Sequence, residues 1–229
     1  MEFIVIAIIL VIIYLMLRVI LGVNIKKIKE IGFDDELDKL TENYPNNIEI
    51  CKEYLKKLDN EDVNIEEDEN SNATLYLILG NKIFIANLKN SFTRIQTIAH
   101  ECLHSIQSKK MLWFNYIFSN IYILFFIIIS ILAIAKILPA KMMFLSILIL
   151  MGAVFYCVRS YLETDAMTKA RFLAKEYMEE KKISTKEEID RIIKRYDELN
   201  DIGIKTTNFQ LFSNALIKTF IFTIICIIF

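Results

Sequence analysis

What most limits the folds open to this chain is the length of its apolar runs. Residues 3–21, 116–135 and 142–158 are apolar almost throughout, and 211–229 is wholly apolar only in its later part. A helix needs about 20 apolar residues, and no fewer than about 17, to cross about 30 Å of hydrocarbon. Each of the first three runs meets that length. The fourth is interrupted by Ser213, Asn214 and Lys218, and is expected to span with Lys218 reaching toward the interface. A hydrophobic content of 55% and a mean hydropathy of +0.39 exclude an ordinary soluble enzyme. A net charge of −1 supplies no basic surface for nucleic acid.

Residues 3–21 lack the basic leader and small-residue cleavage site of a secretory signal and are expected to stay as an anchor. Lys26, Lys27 and Lys29 follow this run while only Glu2 precedes it, so the positive-inside rule places residue 24 onward in the cytoplasm of a multi-pass cell-membrane protein. Residues 116–158 read as a membrane hairpin, which returns the chain to the side it left. The expected segments are therefore an anchor (1–23), a cytoplasmic part (24–115), the hairpin (116–158), cytoplasmic helices (159–210) and a final membrane segment (211–229).

Within the polar part, Ile48, Cys51, Tyr54, Leu55 and Leu58 have the spacing of one helix face. The acidic stretch 60–72 reads mostly as a solvated loop, with a short strand at 63–65. Residues 74–79 and 83–88 form a hairpin across Gly80-Asn81-Lys82, and the strand entering the next helix is expected to be a sheet edge on which an extended peptide could pair. Asn90 or Ser91 is the expected cap of that helix. A further amphipathic helix spans 183–196. The four cysteines have no C-x-x-C spacing and read as reduced thiols.

The chemistry is carried by Ala99-His100-Glu101-Cys102-Leu103-His104, an H-E-x-x-H sequence that contains both of the chain's 2 histidines. On a helix these lie roughly 40° apart and one turn up, so both imidazoles can reach one ion. Ile95, Ile98, Ala99, Cys102, Leu103 and Ile106 make an apolar stripe opposite Thr97, His100, His104 and Gln107. The helix is thus expected to dock with its histidines facing a cleft, and Cys102 to pack rather than ligate. A catalytic zinc needs a third protein ligand and an open position for water, whose proton a neighbouring carboxylate, here Glu101, can accept.

For the third ligand, Tyr161-Leu162-Glu163-Thr164-Asp165-Ala166 opens the polar segment that follows the returning span. Glu163 is the candidate. The competing reading has Glu163 and Asp165 favouring a helix N-terminus electrostatically, and spacing alone leaves both open.

The order of parts resembles the small bacterial integral-membrane neutral zinc metallopeptidases of the YugP type. The resemblance covers nearly the whole chain and rests on Ala99-His100-Glu101-Cys102-Leu103-His104-Ser105-Ile106-Gln107 and on Glu163-Thr164-Asp165-Ala166. It implies Zn2+ on His100, His104 and Glu163, with Glu101 as the catalytic carboxylate. The chain departs from the family at Leu103, where glycine is common, and at Met167-Thr168-Lys169, where small and basic residues are usual. Neither departure touches an implied ligand.

The expectation is a mainly α, polytopic membrane protein with three to four transmembrane helices and a small cytoplasmic zincin-like α+β part. As a zinc metalloendopeptidase it would hydrolyse a peptide or protein substrate at the cytoplasmic face of the bilayer. The alternatives are a zinc-stabilised scaffold without turnover, disfavoured by Glu101, and an intramembrane-cleaving metalloprotease, disfavoured by Thr93, Arg94, Gln96, Gln107, Ser108, Lys109 and Lys110 around the motif. Oligomeric state stays open.

Overall fold

A computed structural model describes residues 1–21, 30–68, 71, 73–88 and 91–229. Lys26, Lys27, Lys29 and Asn90, which carried the topology and one of the capping expectations, lie outside them. The protein is 75% helical with one small sheet, and it divides into two compact units. The first contains Met1–Val23, Trp113–Tyr161 and Lys205–Phe229, the second Asn24–Leu112 and Leu162–Ile204.

The first unit is built from α1 (Glu2–Ile20) and from parts of three longer helices, α5 (Lys109–Ile134), α6 (Lys141–Lys181) and α7 (Lys186–Ile228). All four are long and apolar enough to cross a membrane, and between 11% and 28% of their apolar windows is buried within the protein. So much unburied apolar surface suggests a lipid-embedded protein. Tyr122, Ile129, Leu145, Leu148 and Phe222 centre its core. Between α5 and α6 the chain reverses through a left-handed residue, Lys136 (φ 59°). Its N–H donates to Ala133 O at 3.0 Å and the Ile137 N–H to Leu132 O at 3.1 Å, the two bonds of a Schellman stop.

The second unit contains α2 (Asp35–Thr41) and α3 (Asn47–Lys57). Each is started by a side chain that accepts otherwise unpaired helix N–H groups: Asp34 from Glu36 and Leu37, and Asn46 from Glu49. Three strands follow, β1 (Asn64–Asp68), β2 (Leu75–Leu77) and β3 (Lys82–Ala86), in the order β1-β3-β2. β2 and β3 are the hairpin, with Tyr76 opposite Ile83 and with Gly80 (φ 90°) and Asn81 (φ 47°) supplying the left-handed turn. β1 lies parallel to β3, with Ile65 opposite Ile83. The acidic stretch therefore contains a full strand, because five of its backbone units find partners that no side-chain pattern announces. β3, the strand that precedes the motif helix, is paired on both sides. The edges of the sheet are β1 and β2, not β3.

The motif helix α4 (Arg94–Ile106) begins one residue after Thr93, which makes no side-chain cap. Ser91 instead accepts the Thr93 N–H at 3.3 Å, and Asp38 accepts the Phe92 N–H at 2.7 Å. The buried Arg94 guanidinium donates to the carbonyls of Thr41, Tyr44 and Pro45 and to Asn47 Oδ1, tying the α2–α3 connection to the start of α4. Two of the expected breaks are absent. The polar segment containing Glu163 continues the returning span within α6, and the 183–196 helix continues into the last apolar run as α7.

Candidate metal centre

Every residue of the site lies in the second unit, on α4, β2, α6 and the residue after α4. Ile95, Ile98, Ala99 and Cys102 are fully buried against the core, whereas Ile106, expected on the same stripe, is 46% exposed because α4 ends there. Docking by this stripe turns His100 and His104 to the other side. Cys102 packs Sγ to Sγ at 3.6 Å against Cys51, and both remain thiols. Burial pushes the Cys102 thiol well up.

α6 brings Glu163 to the two imidazoles. His100 Nε2 and His104 Nε2 are 3.0 Å apart, and Glu163 Oε2 is 3.4 Å from the first and 3.6 Å from the second. Donors bound at about 2.0–2.1 Å with tetrahedral angles stand about 3.3–3.4 Å apart, so the triangle has the size that one shared ion requires. These three side chains could hold a metal ion. Glu163 stands far inside α6, so the helix-N-terminus reading of its charge is removed.

Hydrogen bonding orients one of the rings. Gln107 Nε2 donates to Leu162 O at 2.9 Å and to Asp165 Oδ2 at 3.1 Å. Both partners are acceptors, which turns the Gln107 carbonyl toward His104 Nδ1 at 2.9 Å. Nδ1 must then carry the hydrogen, and Nε2 presents its lone pair to the cluster. Lys169 holds the other oxygen of Asp165 at 2.6 Å. Burial lowers the proton affinity of His104, but the Glu163 and Glu101 carboxylates and the Gln107 contact outweigh it and hold the imidazole above its ordinary value. The point between the three donors attracts positive charge.

Glu101 is 7% exposed, and its Oε1 lies 3.9 Å from His100 Nε2. Its Oε2 accepts the Tyr76 N–H at 2.6 Å. Tyr76 faces Ile83 across the hairpin, yet its N–H turns away from β3, so this is a non-hydrogen-bonded pair whose backbone groups face outward from the edge. Burial raises the Glu101 carboxyl, while His100, His104 and the Tyr76 N–H pull it down; the net shift is upward. A carboxylate moved up from its usual range is better matched to taking and returning a proton near neutral pH.

The roles of Tyr76, Gln107 and Asp165 go beyond the sequence reading. Gln107 stands three residues beyond His104, a spacing that puts two side chains on one helical face, and this signal was available. Tyr76 contributes only its backbone, and no residue type signals that. No protein-family model, curated protein or solved structure matches the chain.

Proposed function

We propose that this protein is a membrane-anchored zinc metallopeptidase, as the resemblance to the YugP-type family implies. The supporting observation is the convergence of His100 Nε2, His104 Nε2 and Glu163 Oε2 within 3.6 Å beside the buried carboxylate of Glu101. Among the described residues the group has three donors, the number with which catalytic zinc sites leave a position for water, where structural sites fill all four from protein. A structural site has no use for an additional proton acceptor next to its ligands.

In this reading His100, His104 and Glu163 hold zinc, whose contribution when bound is Lewis acidity that makes water acidic near neutral pH and polarises a carbonyl. Glu101 accepts the proton of the attacking water and returns it to the leaving amine. The Tyr76 N–H keeps one carboxylate oxygen in place, leaving the other on the histidine side. Gln107 keeps the His104 lone pair on the zinc side. The substrate in this reading is a peptide or protein, and the lysines that follow residues 3–21 support a site on the cytoplasmic face of the cell membrane.

The test is made on the full-length protein purified in detergent. Wild type and Glu101→Gln each retain one zinc per chain, and only the wild type cleaves an unfolded casein substrate. His100→Ala and Glu163→Ala lose stoichiometric zinc. Equal cleavage by Glu101→Gln would overturn the assigned chemistry, and full zinc retention by Glu163→Ala would overturn the ligand set.

A further inference from the structure

The two ends of a side-chain amide have nearly the same shape and opposite hydrogen-bonding character, so Gln107 could offer His104 either an acceptor or a donor. With its carbonyl toward Nδ1, as found at 2.9 Å, the ring keeps its hydrogen there and Nε2 is bare. Turned end for end, the amide would donate to Nδ1 and move the ring hydrogen to Nε2. That hydrogen would point at His100 and Glu163, where a cation is to be held. Whatever fixes this amide decides whether His104 can ligate.

The two acceptors that hold the Gln107 NH2 are unequal. Leu162 O, at 2.9 Å, is a neutral main-chain carbonyl inside α6, and the helical ladder already engages one of its lone pairs. Asp165 Oδ2, at 3.1 Å, belongs to a carboxylate whose side chain is 24% exposed and therefore largely withdrawn from water. Lys169, one turn further along α6, takes Oδ1 at 2.6 Å and leaves Oδ2 for the amide. A reversed Gln107 would set its oxygen against Leu162 O and Asp165 Oδ2 with no hydrogen between them. The anionic oxygen makes that arrangement the costlier of the two.

We infer that Asp165 is a positioning residue which, braced by Lys169, fixes the tautomer of His104 through Gln107. The brace gives the inference a distinctive consequence. Asp165→Asn keeps the shape of the side chain, but lysine only donates, so Lys169 takes the oxygen of the new amide and turns its NH2 toward Gln107. Gln107 then presents its oxygen to that NH2 and its own NH2 to His104. Lys169 thereby enforces the wrong tautomer, and removing Lys169 as well frees the new amide to turn its oxygen back. The effect on zinc affinity rests on the metal reading above, whereas the tautomer does not, and all the residues involved belong to the second unit.

The experiment reads the ring nitrogens by NMR. Full-length protein labelled with nitrogen-15 histidine, zinc-free in detergent and in alkaline buffer where both rings are neutral, gives ring signals from 2 histidines only, and His100→Gln assigns them. The His104 hydrogen is expected on Nδ1 in the wild type and largely on Nε2 in Asp165→Asn. Zinc affinity, measured by chelator competition, is expected to fall about 10–100-fold in Asp165→Asn. Asp165→Asn combined with Lys169→Met is expected to regain part of both losses. A wild-type His104 with its hydrogen on Nε2 overturns the inference before any variant is made. So does Asp165→Asn with the wild-type tautomer, whatever its zinc affinity, and so does a double variant no better than the single one. The expected tautomers in a protein that binds no zinc overturn the metal reading and leave the role of Asp165 standing.

Discussion

The two units of this protein differ in how the buried polar groups closest to their function are held. Each also leaves some buried atoms without a partner among the described residues, Arg94 Nε and Gln96 Oε1 in the second unit included. In the second unit, Arg94, Glu101 and His104 are buried and each is held by named partners from other elements: three carbonyls and an amide oxygen for Arg94, the Tyr76 N–H for Glu101, and Gln107 for His104. In the first unit, Thr219, Thr223 and Ser146 turn their hydroxyls back to carbonyls four residues earlier in their own helices. Tyr122, Ser130 and Ser213 have buried hydroxyls with no partner among the described residues. A helix in lipid satisfies its own backbone, so hydropathy is enough to specify it. A site that converges three lone pairs on one point needs cross-element bonds, and each of those is a place where one substitution does harm.

The largest effect that sharpens this contrast is chemical. Glu101→Gln removes a proton acceptor without removing a ligand, and peptide cleavage is expected to fall about 10²–10⁴-fold with zinc content unchanged, read by steady-state rates and metal analysis. Next comes Arg94→Met, which leaves a cluster of buried carbonyls without their donor. It is expected to cost about 3 kcal/mol, measured by chemical denaturation of the detergent-solubilised protein. Substitution of Ser130 by alanine in the first unit, whose hydroxyl has no partner to lose, is expected to change stability by less than about 0.5 kcal/mol under the same conditions. An equal loss at both positions would break the comparison.

Gln107→Leu tests the orienting bond. It is expected to weaken zinc binding about 10–100-fold in a chelator competition, the usual cost of removing a partner of a ligating histidine. Gln107→Glu, which still accepts from Nδ1, is expected to recover part of that loss. The smallest effect on the site is expected from Cys102→Ala. It removes a buried thiol that touches Cys51 and no ligand, so zinc stoichiometry stays at one per chain while stability drops by about 1–2 kcal/mol.

How much was readable in advance differs between elements for definite reasons. The apolar runs and the H-E-x-x-H spacing are local patterns, and a local pattern is visible in one chain. The edge position was misread because strand order is non-local: β1, drawn from an acidic loop, pairs with β3 and displaces it to the centre, leaving β1 and β2 as the edges. Helix ends were misread before Glu163 and after Tyr196 because a change between apolar and polar residues resembles a boundary, although nothing there stops the backbone ladder. Pro139 and the left-handed Lys136 and Lys182 mark the actual ends.

The sequence by itself determined that four segments suit a bilayer, that two imidazoles stand one turn apart, and that a glutamate accompanies them, since each follows from residue order along a single helix. Only the tertiary structure decided that Glu163 Oε2 reaches both histidines, that Gln107 sets the tautomer of His104, and that a backbone N–H on β2 holds Glu101. Those contacts join residues separated by up to 63 positions in the chain, and their distances are set by how α4, α6 and the hairpin pack, which no local periodicity encodes.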